Sequence, residues 1–409
     1  MDQIKPDRTG GREKLWTFDF IVLLFMSFFN MFSMQYNTVS LSPWLDSLGL
    51  PSSFTGLLTL CFTLPCIVGC FLWGRLSQKT GRRVLIVGGS LMFGAGALLM
   101  PAIAPVIGLM VLMRVVQGVG YSAVNNGMAA TQADVITPRR LGEGIGFFGM
   151  AQTLTLVIGP GAALFTIEHW GFLPVFITIG VLCAAVLVLG ILLKTDLSAA
   201  AVRRRDPEEA PAPQQSERGL WAFLEKGSLF PCVMLLMSMA ALSATNFYAA
   251  TYAGSIGVGG ASVFFVTYAV AEVIIIALTG KLSDRLPMRA LMAPGMVIAA
   301  LGLFFLSRVG STAAFILASI PVGVGTGLVV PVAQAAAFRG VAKHRRGMAS
   351  ATYYIAFDGG MCLGSLIWGF TIDAAGFRTT FVCAAVLLIV AAVLCFFLSK
   401  RREQARPAA

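Results

Sequence analysis

"GRLSQKTGRR", residues 74–83, returns as "GKLSDRLPMR" at residues 280–289, 206 positions further along the chain. A second pair, "GVGYSAVNN" from Gly118 and "GVGTGLVVP" from Gly323, is separated by 205 positions. In the same register Gly159 falls on Gly364. Similarity at one long offset is the signature of a repeated structural unit. The sequence therefore predicts two like halves.

The composition is far too apolar for an ordinary soluble protein. Of the 409 residues, 57% are hydrophobic and 12% are charged, whereas soluble domains carry about 25% charged residues. Several stretches are long enough to cross roughly 30 Å of hydrocarbon. We predict an all-α membrane protein of two pseudo-symmetric six-helix bundles with both termini cytoplasmic. The twelve predicted transmembrane helices are 18–42, 52–74, 83–102, 105–129, 141–166, 172–194, 227–252, 259–282, 289–307, 312–337, 347–371 and 377–399.

The charge pattern divides the chain and orients it. The stretch "RRRDPEEAPAPQQSER" is rich in charge and proline and predicts a flexible cytosolic linker at 195–226. The predicted domains are therefore 1–194 and 227–409. With a cytosolic N-terminus, 27 of the 30 Lys and Arg residues fall on the cytosolic side, as the positive-inside rule requires. No cleavable signal is expected, because the first apolar run is too long for a signal-peptide core.

Several function classes are disfavoured by the same pattern. Topology already explains the net charge of +11, so we expect no nucleic-acid partner. The eight cysteines fall inside predicted helices and indicate neither a disulfide framework nor a metal site. No phosphate loop, dinucleotide fingerprint or zinc motif is visible. We expect no metal, no cofactor and no enzymatic activity. We expect the protein to be a monomer in the plasma membrane of a bacterium.

These features together resemble the major facilitator superfamily of transporters. "RVVQGVG" (114–120) is similar to the family's fourth-helix motif, and "GMAQTLTLVIGPG" (149–161) is similar to the fifth-helix motif of proton-driven exporters. The resemblance covers nearly the whole chain. It implies that helices one, four, seven and ten surround a central cavity.

The repeated loop carries the family's gating motif, which implies gating roles for Gly74, Gln78, Gly81, Arg82 and Asp284. The family usually has Asp at the position of Gln78, where it is implied to cap a helix of the other half in the outward-open state. Glutamine brings no charge to a helix dipole, so we expect a weaker latch. The alternative is that the basic residues of this loop only set the topology.

Two carboxyl groups and one guanidinium lie deep in predicted helices. Asp358 and Glu272 are near mid-membrane, where a charged group without a partner costs at least a few kcal/mol. A proton carrier needs a carboxyl group that is neutral when it is buried and ionised when it is exposed to water. The alternatives are contact with a cationic substrate or permanent hydrogen bonding as structural glue. The family resemblance implies that Arg114 assists proton coupling; contact with an anion and a structural tie to backbone carbonyls are the alternatives.

Other polar side chains are predicted to line the cavity. Gln117, Tyr121 and Asn125 follow Arg114 on one helix face, and Tyr354 lies one turn before Asp358. The remaining predicted cavity residues are Asn30, Asn37, Asn246 and Gln334.

The fifth helix is predicted to be interrupted by Gly159, Pro160 and Gly161, because proline removes a backbone hydrogen bond and glycine permits bending or close approach. Bending for gating and tight static packing remain alternatives here.

The sequence as a whole predicts a proton-coupled antiporter that exports a small molecule by alternating access around a midplane site. The first alternative is a proton-coupled symporter that imports a nutrient. A transporter-derived sensor is the second, since a fold alone does not fix a function.

Overall fold

The computed structural model describes residues 15–104, 106–136, 141–195, 225–283, 286–338, 341 and 346–404. These residues form helices, and no strand occurs among them. A short 3₁₀ turn (Lys226–Ser228) precedes α7. The helices are α1 (Phe18–Ser47), α2 (Ser52–Thr80), α3 (Arg82–Ile103), α4 (Ile107–Val135), α5 (Leu141–Trp170), α6 (Leu173–Leu192), α7 (Leu229–Ser255), α8 (Ala261–Ser283), α9 (Met288–Leu306), α10 (Thr312–Phe338) and α11 (Arg346–Gln404). We call α1–α6 the N half and α7–α11 the C half; most of the predicted linker lies outside the described residues.

The helices expose apolar side chains and bury polar ones. Val181 and Leu278 are more than 60% exposed, whereas Ser27 and Ser238 are almost wholly buried. This is the reverse of a water-soluble protein and matches helices whose outer surface meets lipid. In the described part of the chain, eleven helices are long and apolar enough to cross a membrane. The chain is therefore a multi-pass membrane protein.

The last helix is divided by a kink. It has 59 residues, which at about 1.5 Å per residue is far longer than one membrane crossing. Gly376 inside it has φ 79° and ψ 169°, a conformation that favours glycine over other residues. The predicted eleventh and twelfth spans, 347–371 and 377–399, fall on the two sides of this glycine.

Helix ends differ from the predicted ones because hydropathy detects only the lipid-facing core of a helix. The first helix continues past Pro43 to Ser47, five residues beyond its predicted end at 42.

The predicted interruption of the fifth helix is wrong, since α5 is continuous from Leu141 to Trp170 with Pro160 inside it. Neighbouring helices in a membrane protein can compensate the hydrogen bond that a proline removes.

The repeat in the sequence is also a repeat in helix packing. A Cβ atom added to Gly118 of α4 would lie 2.2 Å from the Phe62 carbonyl oxygen of α2. A Cβ atom added to Gly323 of α10 would lie 2.3 Å from the Tyr268 carbonyl oxygen of α8, and positions 62 and 268 are 206 apart. Glycine at both positions is therefore required by the close approach of two helices.

A second pair of contacts follows the same rule. Gly89 and Gly120 face each other between α3 and α4, and Gly295 and Gly325 do so between α9 and α10. Both pairs obey the offset of 205–206 residues, so each half contains the same helix-to-helix scaffold.

The two halves meet through α1 with α7, α2 with α11 and α5 with α8. At one end of the bundle, Ser42 Oγ and Thr251 Oγ1 are 2.8 Å apart, and the Tyr248 hydroxyl donates to the carbonyl oxygens of Ser365 (2.6 Å) and Ser52 (3.2 Å). We call this end, where α1 and α7 finish and α2 and α8 begin, the paired end.

Candidate functional site

Arg114 is the centre of a polar cluster in the N half. Its side chain is only 3% exposed, and its Nη1 donates to Asn37 Oδ1 and to Gln117 Oε1, both at 2.8 Å. The guanidinium carbon also lies 5.6 Å from the centre of the Phe62 ring, within range of a cation–π interaction. Arg114 Nε and Gln117 Nε2 are buried without a hydrogen-bond partner.

This arrangement bears on the alternatives for Arg114. Among the described residues, Arg114 donates to side-chain oxygens of α1 and α4, so it joins two helices through amides and not through backbone carbonyls. Within the described residues the only salt bridge is that of Arg82, and no carboxylate pairs with Arg114. A buried guanidinium with neutral partners keeps attraction for an anion.

Asn30, Tyr121 and Asn125 extend this cluster along α1 and α4. Asn30 Nδ2 donates to Asn125 Oδ1 at 3.0 Å, and the Tyr121 hydroxyl donates to the sulfur of Met31 at 3.3 Å. The predicted polar face of the fourth helix therefore points into the N half and contacts the first helix.

Asp358 lies on α11, and its side chain is exposed although it is far from both ends of the helix. Tyr354, one turn earlier, is 54% exposed. Both side chains interact electrostatically with Tyr121 of α4, which belongs to the other half. The exposed carboxyl therefore faces the space between the halves, which we call the central cavity.

The Asp358 carboxyl has no fixed partner in the described structure: it makes no hydrogen bond and no ion pair there. Its electrostatic neighbours on α11 are Tyr353, Tyr354 and Cys362. Cys362, one turn after Asp358, lies beside Thr63 of α2, so this part of α11 also contacts the N half.

Glu272 occupies a different place, inside the C half. It is 9% exposed, and the described residues offer it no hydrogen bond or ion pair. It interacts electrostatically with Tyr268 one turn earlier. The Tyr268 hydroxyl donates to Thr326 Oγ1 of α10 at 3.2 Å and also contacts Asn246 of α7. Asn246 is therefore linked to Glu272 through Tyr268.

The remaining predicted residues are more scattered. Gln334 is exposed on α10 and makes no hydrogen bond to the described residues. Gly74 lies within α2, whereas the Gln78 side chain and the whole of Asp284 lie outside the described part of the chain. Gating by these three residues stays a prediction.

Arg82 is held within the N half. Gly81 precedes α3 with φ 86°, and the buried Arg82 side chain donates to the Ala130 carbonyl oxygen at 2.9 Å and forms an ion pair with Asp134 of α4. Arg82 therefore ties α3 to α4, which adds a structural role to the predicted gating or topological one.

The two glycines of the fifth-helix motif pack closely against other helices. A Cβ atom at Gly159 would lie 2.7 Å from Gln35 Cβ of α1, and one at Gly161 would lie 2.5 Å from Val266 Cγ2 of α8. Gly161 therefore lies at a contact between the halves. The geometry supports close packing, and bending at this motif stays a prediction.

The cavity prediction missed Phe62 and Thr326, which contact Arg114 and Tyr268 respectively. The internal repeat could have identified them, because Phe62 aligns with Tyr268 and Tyr121 with Thr326 at offsets of 206 and 205. As for metals, no group of three or more His, Cys, Asp or Glu side chains in the described residues could hold an ion.

The chain is similar in sequence to several known proteins, including the following three. It is 24% identical to the MFS-type transporter MJ1560 of Methanocaldococcus jannaschii over 386 residues, covering 93% of this chain and 98% of that protein. It is 25% identical to Multidrug resistance protein 1 of Bacillus subtilis over 171 residues, 42% of this chain and 41% of that one. It is 24% identical to Quinolone resistance protein NorA of Staphylococcus aureus over 177 residues, 42% and 45% of the two chains.

Solved structures share the fold. The nucleoside transporter NupG superimposes with a TM-score of 0.72 at 16% identity, covering 94% of this chain and all of that one. A bacterial homologue of the human lysosomal transporter Spinster, solved inward-facing and unoccupied, superimposes with a TM-score of 0.73 at 15% identity, covering 97% and 100%. The family model of the Major Facilitator Superfamily matches residues 23–265 and 232–409. The chain therefore belongs to the Major Facilitator Superfamily.

Proposed function

We propose that this transporter is a proton-coupled antiporter that exports a small molecule by alternating access. In this proposal Gly376 separates two spans, which gives twelve in all. Both termini are cytosolic, and the protein resides in the plasma membrane. The energy source is the proton gradient and no cofactor takes part.

The observation that carries the proposal is the exposed carboxyl of Asp358 facing the central cavity. A carboxylate at this depth without a partner costs at least a few kcal/mol, whereas a protonated one costs much less. Water entering the cavity favours the charged form, and closure of the cavity around the group favours the neutral form. Alternating access therefore binds and releases a proton at Asp358.

Glu272 supplies a second carboxyl that can take part in proton carriage or substrate contact. It is more enclosed than Asp358 and lies with Tyr268 and Asn246, so the two acids occupy separate environments. One can carry the proton while the other contacts a cationic group of the substrate. Asp358, beside Tyr354 and Tyr121, is the better placed of the two for an aromatic cation.

Export is supported by the names of the relatives and by the fifth-helix motif. Two partial relatives are named for drug or quinolone resistance, which fits removal of a compound from the cell. Gly161 of that motif packs between the halves, where it can influence their relative movement.

The alternative is proton-coupled import of a nutrient. Arg114 keeps a buried, unpartnered Nε atom, which would suit a substrate with an anionic group. A nucleoside transporter with the same fold also shows that the architecture alone does not select a direction.

The test is proton movement in inside-out membrane vesicles loaded with an acid-inside gradient and a pH-sensitive dye. Lipophilic cations, zwitterions and organic acids are added one at a time to the wild type, to Asp358→Asn and to the control Asp46→Asn. Asp46 is an exposed acid at the paired end. We expect compound-dependent collapse of the gradient in the wild type and the control, and none in Asp358→Asn.

Retention of full coupling by Asp358→Asn would refute the role of this carboxyl. Compound uptake driven into right-side-out vesicles by an inward proton gradient would establish symport instead. Binding of a compound without any flux in either vesicle type would indicate a sensor.

A further inference from the structure

The paired end is fastened by two carboxylates that cross between the halves. Asp373, near the end of the first segment of α11, accepts hydrogen bonds from the backbone N–H groups of Ser52 and Ser53, both at 2.8 Å. Glu168, near the end of α5, accepts from the N–H (3.3 Å) and the hydroxyl (2.9 Å) of Ser262. In each case an acid of one half caps a helix that begins in the other half.

The two contacts are equivalent by the internal repeat. Positions 168 and 373 differ by 205, the offset that relates Gly159 to Gly364. Ser53 and Ser262 are each the second residue of their helices, α2 and α8. The same device therefore occurs twice, once in each direction across the boundary.

The caps sit beside tight helix contacts. A Cβ atom at Gly369 would lie 2.6 Å from the Ser52 carbonyl oxygen, and one at Gly56 would lie 2.5 Å from Leu366 Cα. These close approaches, like that of Gly161 to Val266, exist only while the halves meet at this end. Separation of the halves must break the caps and the glycine contacts together.

A carboxylate suits this position for two reasons. The first N–H groups of a helix have no partner inside the helix, and the positive end of the helix dipole attracts a negative charge. Both contacts are exposed to water, so water replaces the lost hydrogen bonds when the halves part. Each cap therefore favours the closed paired end without locking it.

We propose that Asp373 and Glu168 are twin latches that bias the transporter towards the state closed at the paired end. The inference rests on the alternating access of the proposed function, but not on proton coupling or on the direction of transport. Loss of a latch shifts the resting equilibrium towards opening at this end.

The test measures how often the paired end opens. Ser42, 2% exposed and bonded to Thr251, is replaced by cysteine, and the purified protein in lipid nanodiscs is treated with a charged maleimide. The rate of adduct formation on the peptide that contains residue 42 is read by mass spectrometry, which separates it from the native cysteines. Labelling needs neither substrate nor proton gradient, so failure of antiport leaves this readout intact.

We expect Asp373→Ala and Glu168→Ala to raise the labelling rate by between about twofold and thirtyfold each, the range measured for loss of a helix cap. The double variant should show roughly the product of the two effects. Asp46→Ala, which removes an exposed acid at the same end, should leave the rate unchanged.

An unchanged rate in the double variant, or an equal rise in Asp46→Ala, would overturn the proposal. If an alanine variant does not fold, Ser262→Ala is used instead. It removes only the hydroxyl that donates to Glu168 and keeps the carboxylates of Glu168 and Asp373. Its rate should rise by about two- to tenfold, and an unchanged rate would overturn the Glu168 latch. Faster amide exchange of Ser52 and Ser53 in Asp373→Ala would also be expected.

Discussion

The N half and the C half share one packing scaffold and carry opposite charges inside it. Gly118 approaches Phe62 as Gly323 approaches Tyr268, yet the N half carries a cationic side chain, Arg114, deep in its helices, and the C half carries two acidic ones, Glu272 and Asp358. In the repeat register these three positions align with Ser319, Cys66 and Thr153. Helix packing fixes the small residues in both halves, whereas the charged positions are free to differ.

In the proposed antiport, this difference gives the two halves separate roles. Arg114 is held by Asn37 and Gln117 at 2.8 Å, so the cation is fixed in place. Asp358 and Glu272 have no such partners in the described structure, so their charge state can change. In the proposed antiport, the N half thus provides a fixed positive group and the C half provides the groups that carry the proton.

The largest effect among these comparisons is expected at Glu272, one of the two deep acids of the C half. Glu272→Gln should remove most proton coupling, because an amide cannot release a proton, whereas Cys66→Ser at the equivalent position should retain it. A serine hydroxyl can still donate to the Gly118 carbonyl oxygen, as the thiol does at 3.3 Å. Substrate-induced proton release from purified protein checks the pair. Equal loss in both variants would contradict the division of roles.

A somewhat smaller effect is expected from the fixed cation. Arg114→Gln removes two charge-assisted hydrogen bonds, each worth about 1.5–3 kcal/mol, and should slow transport by roughly tenfold or more. Ser319→Ala, at the equivalent place in the C half, loses only a bond to the Ile316 carbonyl oxygen and should stay near wild type. Initial transport rates at saturating substrate check this. Comparable rates in the two variants would show that Arg114 has no special function.

The shared scaffold predicts equal sensitivity in the two halves. Gly118→Ala and Gly323→Ala each place a Cβ atom against a backbone carbonyl oxygen, and each should destabilise the fold by about 1–3 kcal/mol. Thermal unfolding in detergent compares them with Gly108→Ala, where the added Cβ meets open space. A large loss of stability in only one of the two variants would mean that this glycine contact does not stabilise both halves equally.

The smallest effect is expected at the hydrogen bond beside Glu272. Tyr268→Phe removes the bond to Thr326, a neutral bond worth about 0.5–1.5 kcal/mol, and should reduce the affinity for protons or substrate by about two- to tenfold. The pH dependence of transport should shift while the maximal rate stays similar. A change in the maximal rate alone would place Tyr268 in the movement of the halves instead.

Much of this architecture could be predicted from the sequence because its signals are local. Apolar runs predict spans wherever lipid is the solvent, and the repeated glycines predict close helix contacts in both halves. The end of α1 and the continuity of α5 were predicted wrongly, since hydropathy does not reveal where a helix continues beyond lipid or how neighbours support Pro160.

The sequence by itself determined that this is a membrane protein of two like halves with one arginine, Arg114, and two acids, Glu272 and Asp358, deep in its helices. Only the tertiary structure decided which partners those groups have. The 2.8 Å bond from Arg114 to Asn37 and the caps made by Asp373 and Glu168 join residues between 77 and 321 positions apart. No local pattern encodes such distances, because they result from how whole helices pack.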